Sequence, residues 1–167
     1  LADFVNNLLN LTKLESNQLA VAKGHELVEE ILTEVYQRVK KRLGKHKLTI
    51  ENGADGLFVD ADRQLLIQVL VNLVDNAIKH TQPECSIKIA CRAEPTVVHF
   101  DVEDNGGGID PLALPHLFEE MVAVRGAKAD KSRGTGLGLS LCKAVVNAHG
   151  GTIAAVNNRI GGTTATV

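Results

Sequence analysis

Nowhere in the 167 residues do apolar side chains run on for the roughly 18–20 positions that a membrane-spanning helix needs. Neither sign of charge dominates: 18 Lys and Arg stand against 20 Asp and Glu, a net charge of −2. That balance argues against nucleic acid or an anionic membrane surface as a partner of this stretch. Cysteine is scarce. Cys85, Cys91 and Cys142 are odd in number and lack metal-type spacing, which leaves no basis for a disulfide framework or a zinc site and favours buried, reduced thiols. No internal repeat or low-complexity tract occurs. What remains, 44% hydrophobic and 23% charged residues, is the balance of one compact, soluble domain. The chain opens at Leu1 within a helical pattern and stops at Val167 on the strand-like "TTATV", so it is expected to be part of a longer protein.

Along the chain, helical and strand-like periods alternate. In "LADFVNNLLNLTKLESNQLA" (1–20), Phe4, Leu8, Leu11 and Leu14 fall at helical spacing with Val5 and Leu9 beside them, one apolar stripe that needs a partner. A second amphipathic helix is expected over 25–44, burying Leu27, Val28, Ile31, Leu32, Val35 and Val39. Lys40, Lys41 and Arg42 then suit its last turn, and Gly44 its stop. Strands are expected at 47–52 and 56–60 with a turn between them at Asn52–Gly53 and Asp55–Gly56. A third helix follows at 61–80 with an acidic first turn. Strands 85–93 and 96–105 read as a hairpin across Glu94–Pro95, a Gly-rich turn and short helix cover 106–121, and another helix spans 136–150. Strands 152–158 and 162–167 form a last hairpin. Hairpins among the strands favour an α+β, two-layer α/β sandwich with a mixed, mostly antiparallel sheet over a doubly wound one.

Four places could carry chemistry. Asn72, Asn76 and Lys79 share one helix face. It is either an exposed polar face or a ligand face, where an amide oxygen can meet Mg²⁺ and a lysine phosphate. In "DVEDNGGGID" (101–110) a strand runs into Asp104 and three glycines, either a plain Asn-Gly turn or a fixed carboxylate for a base's amino group. Residues 122–133 bring Arg125, Lys128, Lys131 and Arg133 into a segment with little apolar content, a solvated loop or a flap bearing cations. Finally "GTGLG" (134–138) is neither a dinucleotide-binding nor a P-loop pattern. It opens a helix, however, and the freed N–H groups there suit an anion.

In this order and spacing, "NLVDNAIKH" (72–80), "DNGGGI" (104–109), "LFEEM" (117–121) and "RGTGLGLSLCKAVVNAHGG" (133–151) resemble the N, G1, F and G2 boxes of sensor histidine kinases. The ATP-binding domain of that family has the Bergerat fold, shared with gyrase-type and chaperone ATPases. The resemblance covers residues 25–167. "LADFVNNLLNLTKLESNQL" is similar to the second helix of the kinase dimerisation hairpin, so 1–20 is expected to be the end of that hairpin. "VRGAKADK" together with "GTGLGLSLCKAVVNAHGGTI" is most similar to osmosensitive potassium-channel sensor kinases. The resemblance implies ATP and Mg²⁺ as ligands, with Asn76 holding the metal. Asn72, Lys79 and His80 would face the phosphates. Asp104 would accept from the adenine amino group, with Gly106, Gly108 and Ile109 at the base. Arg125 and Lys128 would reach the phosphates from a lid, and Gly134, Thr135, Gly136, Leu137, Gly138 and Leu139 would close it and begin the next helix. It also implies two partners, the protein's own phosphoacceptor hairpin and a response regulator. The setting it implies is the cytoplasmic part of a membrane-anchored, homodimeric bacterial parent.

The departures are informative. Gly107 stands where the family has proline, which should loosen that turn, and Met121 stands where a second phenylalanine is usual. None of the six histidines lies in a phosphoacceptor context, so no catalytic histidine is expected in this chain. Bergerat-fold hydrolases carry a glutamate as general base at the position of Asn72, and an amide cannot accept a proton near neutral pH. The reading is therefore phosphoryl transfer to a nucleophile supplied elsewhere. The rival reading is a degenerate, non-catalytic nucleotide-sensing or dimerisation module.

Overall fold

The computed structural model describes residues 20–119 and 137–167, together with Val5, Leu9, Thr12 and Lys13. Those four are helical, Val5 and Leu9 are exposed, and the Thr12 hydroxyl donates to the Leu9 carbonyl at 2.9 Å. The other residues of the expected first helix lie outside the described residues.

In order come β1 (Gly24–Leu27), α1 (Val28–Val39), β2 (Lys47–Gly53), β3 (Phe58–Ala61), α2 (Arg63–His80), β4 (Ser86–Ala93) and β5 (Val98–Asp104). A 3₁₀ turn (Leu114–His116), α3 (Leu137–Ala148), β6 (Ala154–Asn157) and β7 (Thr163–Thr166) follow. The main sheet has the order β2-β4-β5-β7-β6, parallel between β2 and β4 and antiparallel elsewhere. Helix α2 packs against both α1 and α3 and over β4 and β5. This is the expected two-layer arrangement with a mostly antiparallel sheet.

The apolar period of each element explains the layers. Val28, Ile31, Leu32, Val35 and Val39 of α1 are buried at helical spacing, as are Leu66, Ile67, Leu70, Leu73, Val74 and Ala77 of α2. Alternation along β4 and β5 sends Ile87, Ile89, Cys91, Phe100 and Val102 to the same core. The opposite face of the sheet is ionic. Lys88 bridges Glu103 at 2.8 Å and Glu51 at 3.5 Å. The buried Asp101 carboxylate takes Arg92 at 2.9 Å and the Thr166 hydroxyl at 2.5 Å. Burial pushes the Cys91 thiol up to about 11, with the Asp101 charge adding to it, so it stays protonated. All three cysteines are free thiols.

Three expectations need correction. The helix read as 25–44 begins at Val28 and ends at Val39, because Gly24–Leu27 pair antiparallel with β3. Strands β2 and β3 exist as expected, but they are not partners. Each joins a different sheet, and β3 completes a two-stranded ribbon with β1. The acid at the start of α2 also has another role. Asp62 is the N-cap, its carboxylate accepting from the Leu65 N–H, and the first turn itself carries no acid. Just beyond α1, Arg42 is bonded to Asp75 of α2 at 2.8 Å and to the Arg38 carbonyl.

Both ends of α2 are anchored. The Asp62 N–H donates to His149 Nε2 at 2.9 Å, while His149 Nδ1 lies 2.8 Å from the Val145 carbonyl. A carbonyl only accepts, so the proton sits on Nδ1 and Nε2 is the acceptor. The preceding segment is fastened at the same point: Ala22 N–H donates to the Asp62 carboxylate and Lys23 to the His149 carbonyl. Next to this cap, Arg63 meets Glu30 at 2.7 Å, Glu34 at 3.3 Å and Glu26 at 3.4 Å, joining α2 to β1 and α1. Hydrogen bonding from Arg38, opposed by burial and then aided by Arg63, holds the Glu34 carboxyl below its usual range.

A carboxyl with a depressed folded-state pKa contributes stability above its unfolded value of about 4.3, and that contribution is lost as the pH falls through the folded value. Arg63→Gln is therefore expected to cost about 1–2 kcal/mol at pH 7. The gap from wild type should narrow as urea unfolding is repeated below about pH 4 and close only once the pH has passed the lowered Glu34 value.

Candidate functional site

The first half of the site is the seam between α2 and α3. Asn72 and Asn76 are half-buried on α2, while Lys79 and His80 are exposed in its last turn. The Asn72 amide nitrogen is buried and has no hydrogen-bond partner among the described residues. The first turn of α3 stands against it: a Cβ placed on Gly138 would lie 3.9 Å from Asn72 Cγ and 4.0 Å from its nitrogen. Cys142, one turn further on, is fully buried, and desolvation pushes its thiol up to about 12, only partly offset by the Asn72 amide. Its sulfur lies 3.7 Å from the Val69 carbonyl. Sulfur is a weak acceptor and does not satisfy an amide. A buried donor left unpaired costs about 1–3 kcal/mol, and an anionic acceptor at the head of α3 would remove that cost. Leu139 packs against the core beside it.

The second half lies where β5 ends. Asp104 Oδ1 accepts from the Gly106 N–H at 2.9 Å and from the Thr163 N–H at 3.3 Å. Those bonds fix the carboxylate's orientation and leave Oδ2 as the atom able to take a further donor. The glycines after it are under two different constraints. Gly106 faces Thr81, the residue closing α2, so tightly that a Cβ would fall 2.1 Å from the threonine methyl. Gly107 has φ +106°, a value closed to the proline that the resemblance leads one to expect. Instead of loosening the turn, Gly107 ties it: its N–H donates to the Gly161 carbonyl at 2.6 Å.

Thr81 joins the two halves. Its hydroxyl donates to the Ala77 carbonyl at 2.7 Å, and His46 Nε2 lies 2.9 Å from the same oxygen. The sequence alone did not mark Thr81 or His46. It also missed Asn157, Asn158 and Gly162, which surround the Asp104 loop from the β6–β7 turn. Only the turn composition "NNRIGG" (157–162) hinted at them.

The structure thus sets Asn72 of α2 against Gly138 of α3, with Asn76 half-buried one turn further along α2, and groups Asp104, Gly106, Gly108 and Ile109 at the end of β5. Arg125, Lys128, Gly134, Thr135 and Gly136 lie outside the described residues, as does Met121. Leu137 begins α3, but its side chain is not described.

Residues 61–167 match the family described as "Histidine kinase-, DNA gyrase B-, and HSP90-like ATPase". Among curated proteins, the chain is 38% identical over 95% of its length to the sensor protein KdpD of Clostridium acetobutylicum. It is 32% identical, again over 95%, to the KdpD of Escherichia coli. It spans only 18% and 17% of those two proteins. Among solved structures, the Acinetobacter baumannii histidine kinase AdeS superposes with a TM-score of 0.77 at 26% identity. That match covers 97% of this chain and 74% of that one.

The packing of Gly106 on Thr81 makes a local test. Gly106→Ala is expected to cost about 1–3 kcal/mol in urea unfolding and to move the amide resonances of Thr81 and Asn105. An unchanged midpoint and spectrum would contradict that contact.

Proposed function

This chain belongs to the histidine kinase-, DNA gyrase B- and HSP90-like ATPase family, and from that membership we propose that it is the ATP-binding catalytic domain of a two-component sensor histidine kinase. The observation that carries the reading is the pairing of a buried amide nitrogen left without a hydrogen-bond partner among the described residues, that of Asn72 facing the first turn of α3, with an oriented carboxylate, Asp104, at the end of β5. A phosphate chain suits the first and a base's amino group suits the second. In this reading residues 25–167 form the catalytic domain and residues 1–20 end the dimerisation hairpin.

ATP would supply the phosphoryl group to be transferred, and Mg²⁺ would offset the phosphate charge. Asn76 would hold the metal through its amide oxygen. Asn72 would donate to phosphate, with Lys79 and His80 beside it, and Arg125 and Lys128 would add cations from the lid. Gly134, Thr135, Gly136, Leu137, Gly138 and Leu139 would form the lid hinge and the phosphate-facing end of α3. Asp104 would accept from the adenine amino group, and Gly106, Gly108 and Ile109 would line the base. Because Asn72 cannot act as a base, water is not activated at that position, and the acceptor is a histidine on the hairpin of the same dimer. Transfer onward to a response regulator follows from the sensor-kinase reading. The likeness to two KdpD proteins supports a membrane-anchored parent concerned with potassium or osmotic stress. The rival, a nucleotide module without transferase activity, is less well supported, because the relatives the chain matches are sensor proteins and a histidine kinase.

Calorimetry with Mg²⁺–ADP tests the site: Asn76→Ala and Asp104→Ala should each weaken binding by about tenfold or more. Full-strength binding by both variants would sink the assignment. With labelled ATP, the chain alone should take up no label. It should label a supplied hairpin that carries the acceptor histidine, and label on the chain alone would overturn the transfer reading.

A further inference from the structure

Asn157 and Asn158 commit the polar atoms of their amides to Asp104 and the loop after it, to the turn that faces that loop, and to Thr164 of β7. Asn157 Oδ1 accepts from the Ile109 N–H and Asn157 Nδ2 donates to the Ile109 carbonyl, both at 2.8 Å. The side chain thereby pairs with one residue of the loop as a neighbouring strand would. Asn158 Nδ2 donates to the Asp104 carbonyl at 2.9 Å and to Thr164 Oγ1 at 3.3 Å. Its Oδ1 accepts from the Gly162 and Ile160 N–H groups, at 2.9 and 3.2 Å. One amide therefore grips the carboxylate residue and the other grips the loop five residues later.

The surrounding backbone leaves little room for play. A Cβ on Gly162 would lie 2.0 Å from the Asp104 carbonyl oxygen, and one on Gly108 would lie 2.9 Å from Asn157 Oδ1. The Gly107 N–H, which a proline would lack, adds its bond to Gly161. Asn157 is itself exposed, so it buries no apolar area, and its bonds compete with water. Such bonds contribute modestly to stability. What they fix is geometry: the height and rotation of the Asp104 carboxylate relative to the loop that closes on the base.

We propose that Asn157 and Asn158 are positioning residues for base selection, holding the Asp104 loop so that its carboxylate meets an exocyclic amino group. This rests on the reading that Asp104 accepts from adenine. A site built to pair a donor rejects an analogue that lacks it, provided the acceptor is held in place. Inosine diphosphate is that analogue, since it carries an oxo group where adenosine diphosphate carries the amino group.

The test measures Mg²⁺–ADP and Mg²⁺–IDP affinities by calorimetry on the 167-residue chain, with urea midpoints taken alongside. The wild type should prefer ADP by about tenfold or more, and Asp104→Ala should abolish that preference. Asn157→Ala and Asn158→Ala should each shrink it by about threefold or more. Asn157→Asp keeps the acceptor for the Ile109 N–H but loses the donor, and should fall between wild type and Asn157→Ala. The Asn157 variants should keep the wild-type urea midpoint. If Asp104→Ala loses the preference while the asparagine variants keep it, the positioning role is overturned and the base reading survives. If the wild type shows no preference, or Asp104→Ala retains it, the base reading fails and the proposal fails with it.

Discussion

The axial position of α2 is the constraint on which the site depends. At its start, the Asp62 N–H is held by a histidine that closes α3. At its end, Thr81 is held by His46 and pressed against Gly106. Between these anchors, Asn72 stands opposite the first turn of α3. A slide of α2 along its axis would disturb the cap, the seam and the Asp104 loop together. Through Asn72 and the Thr81 that closes it, α2 reaches both the seam and the loop, and so helps set the distance between them.

Two kinds of physical contact divide the labour. Apolar periodicity assembles the layers, and it tolerates conservative exchange. Polar contacts then fix registers that the apolar core leaves loose. His149 carries its proton on Nδ1 so that Nε2 can accept from Asp62. The segment before β1 is fastened to that same junction through Ala22 and Lys23. The chain that leads into the domain is thus bonded to the start of one site helix and the end of another.

Most of the secondary structure was legible because it is local. The buried positions of α2 follow from its 3.6-residue period, and the β4–β5 hairpin from alternation around Glu94–Pro95. Gly24–Leu27 was not legible. Four residues that merge into a helical period become a strand only by pairing with Phe58–Ala61, far along the chain. The site divides in the same way. Asn72, Asn76 and Asp104 stood out through spacing and residue type. Asn157, Asn158, Thr81 and His46 act through partners 35 or more residues away, or through a neighbouring turn, and nothing in their local sequence announces those partners. The effect of Gly107 escapes a local reading for the same reason. A lone glycine locally suggests flexibility, whereas its bond to Gly161 reaches far along the chain.

The central claim is that the α2–α3 seam and the Asp104 loop act as one nucleotide site. It is tested most directly by following ¹⁵N-labelled chain by NMR as Mg²⁺–ADP is added. The largest shifts are expected at the Asn72 side-chain amide and at the backbone amides of Gly106, Gly108, Ile109 and Gly138. The β1–β3 ribbon around His25 and Phe58 should stay still. Shifts centred on that ribbon, with the Asn72 amide and the Asp104 loop silent at saturation, would contradict it.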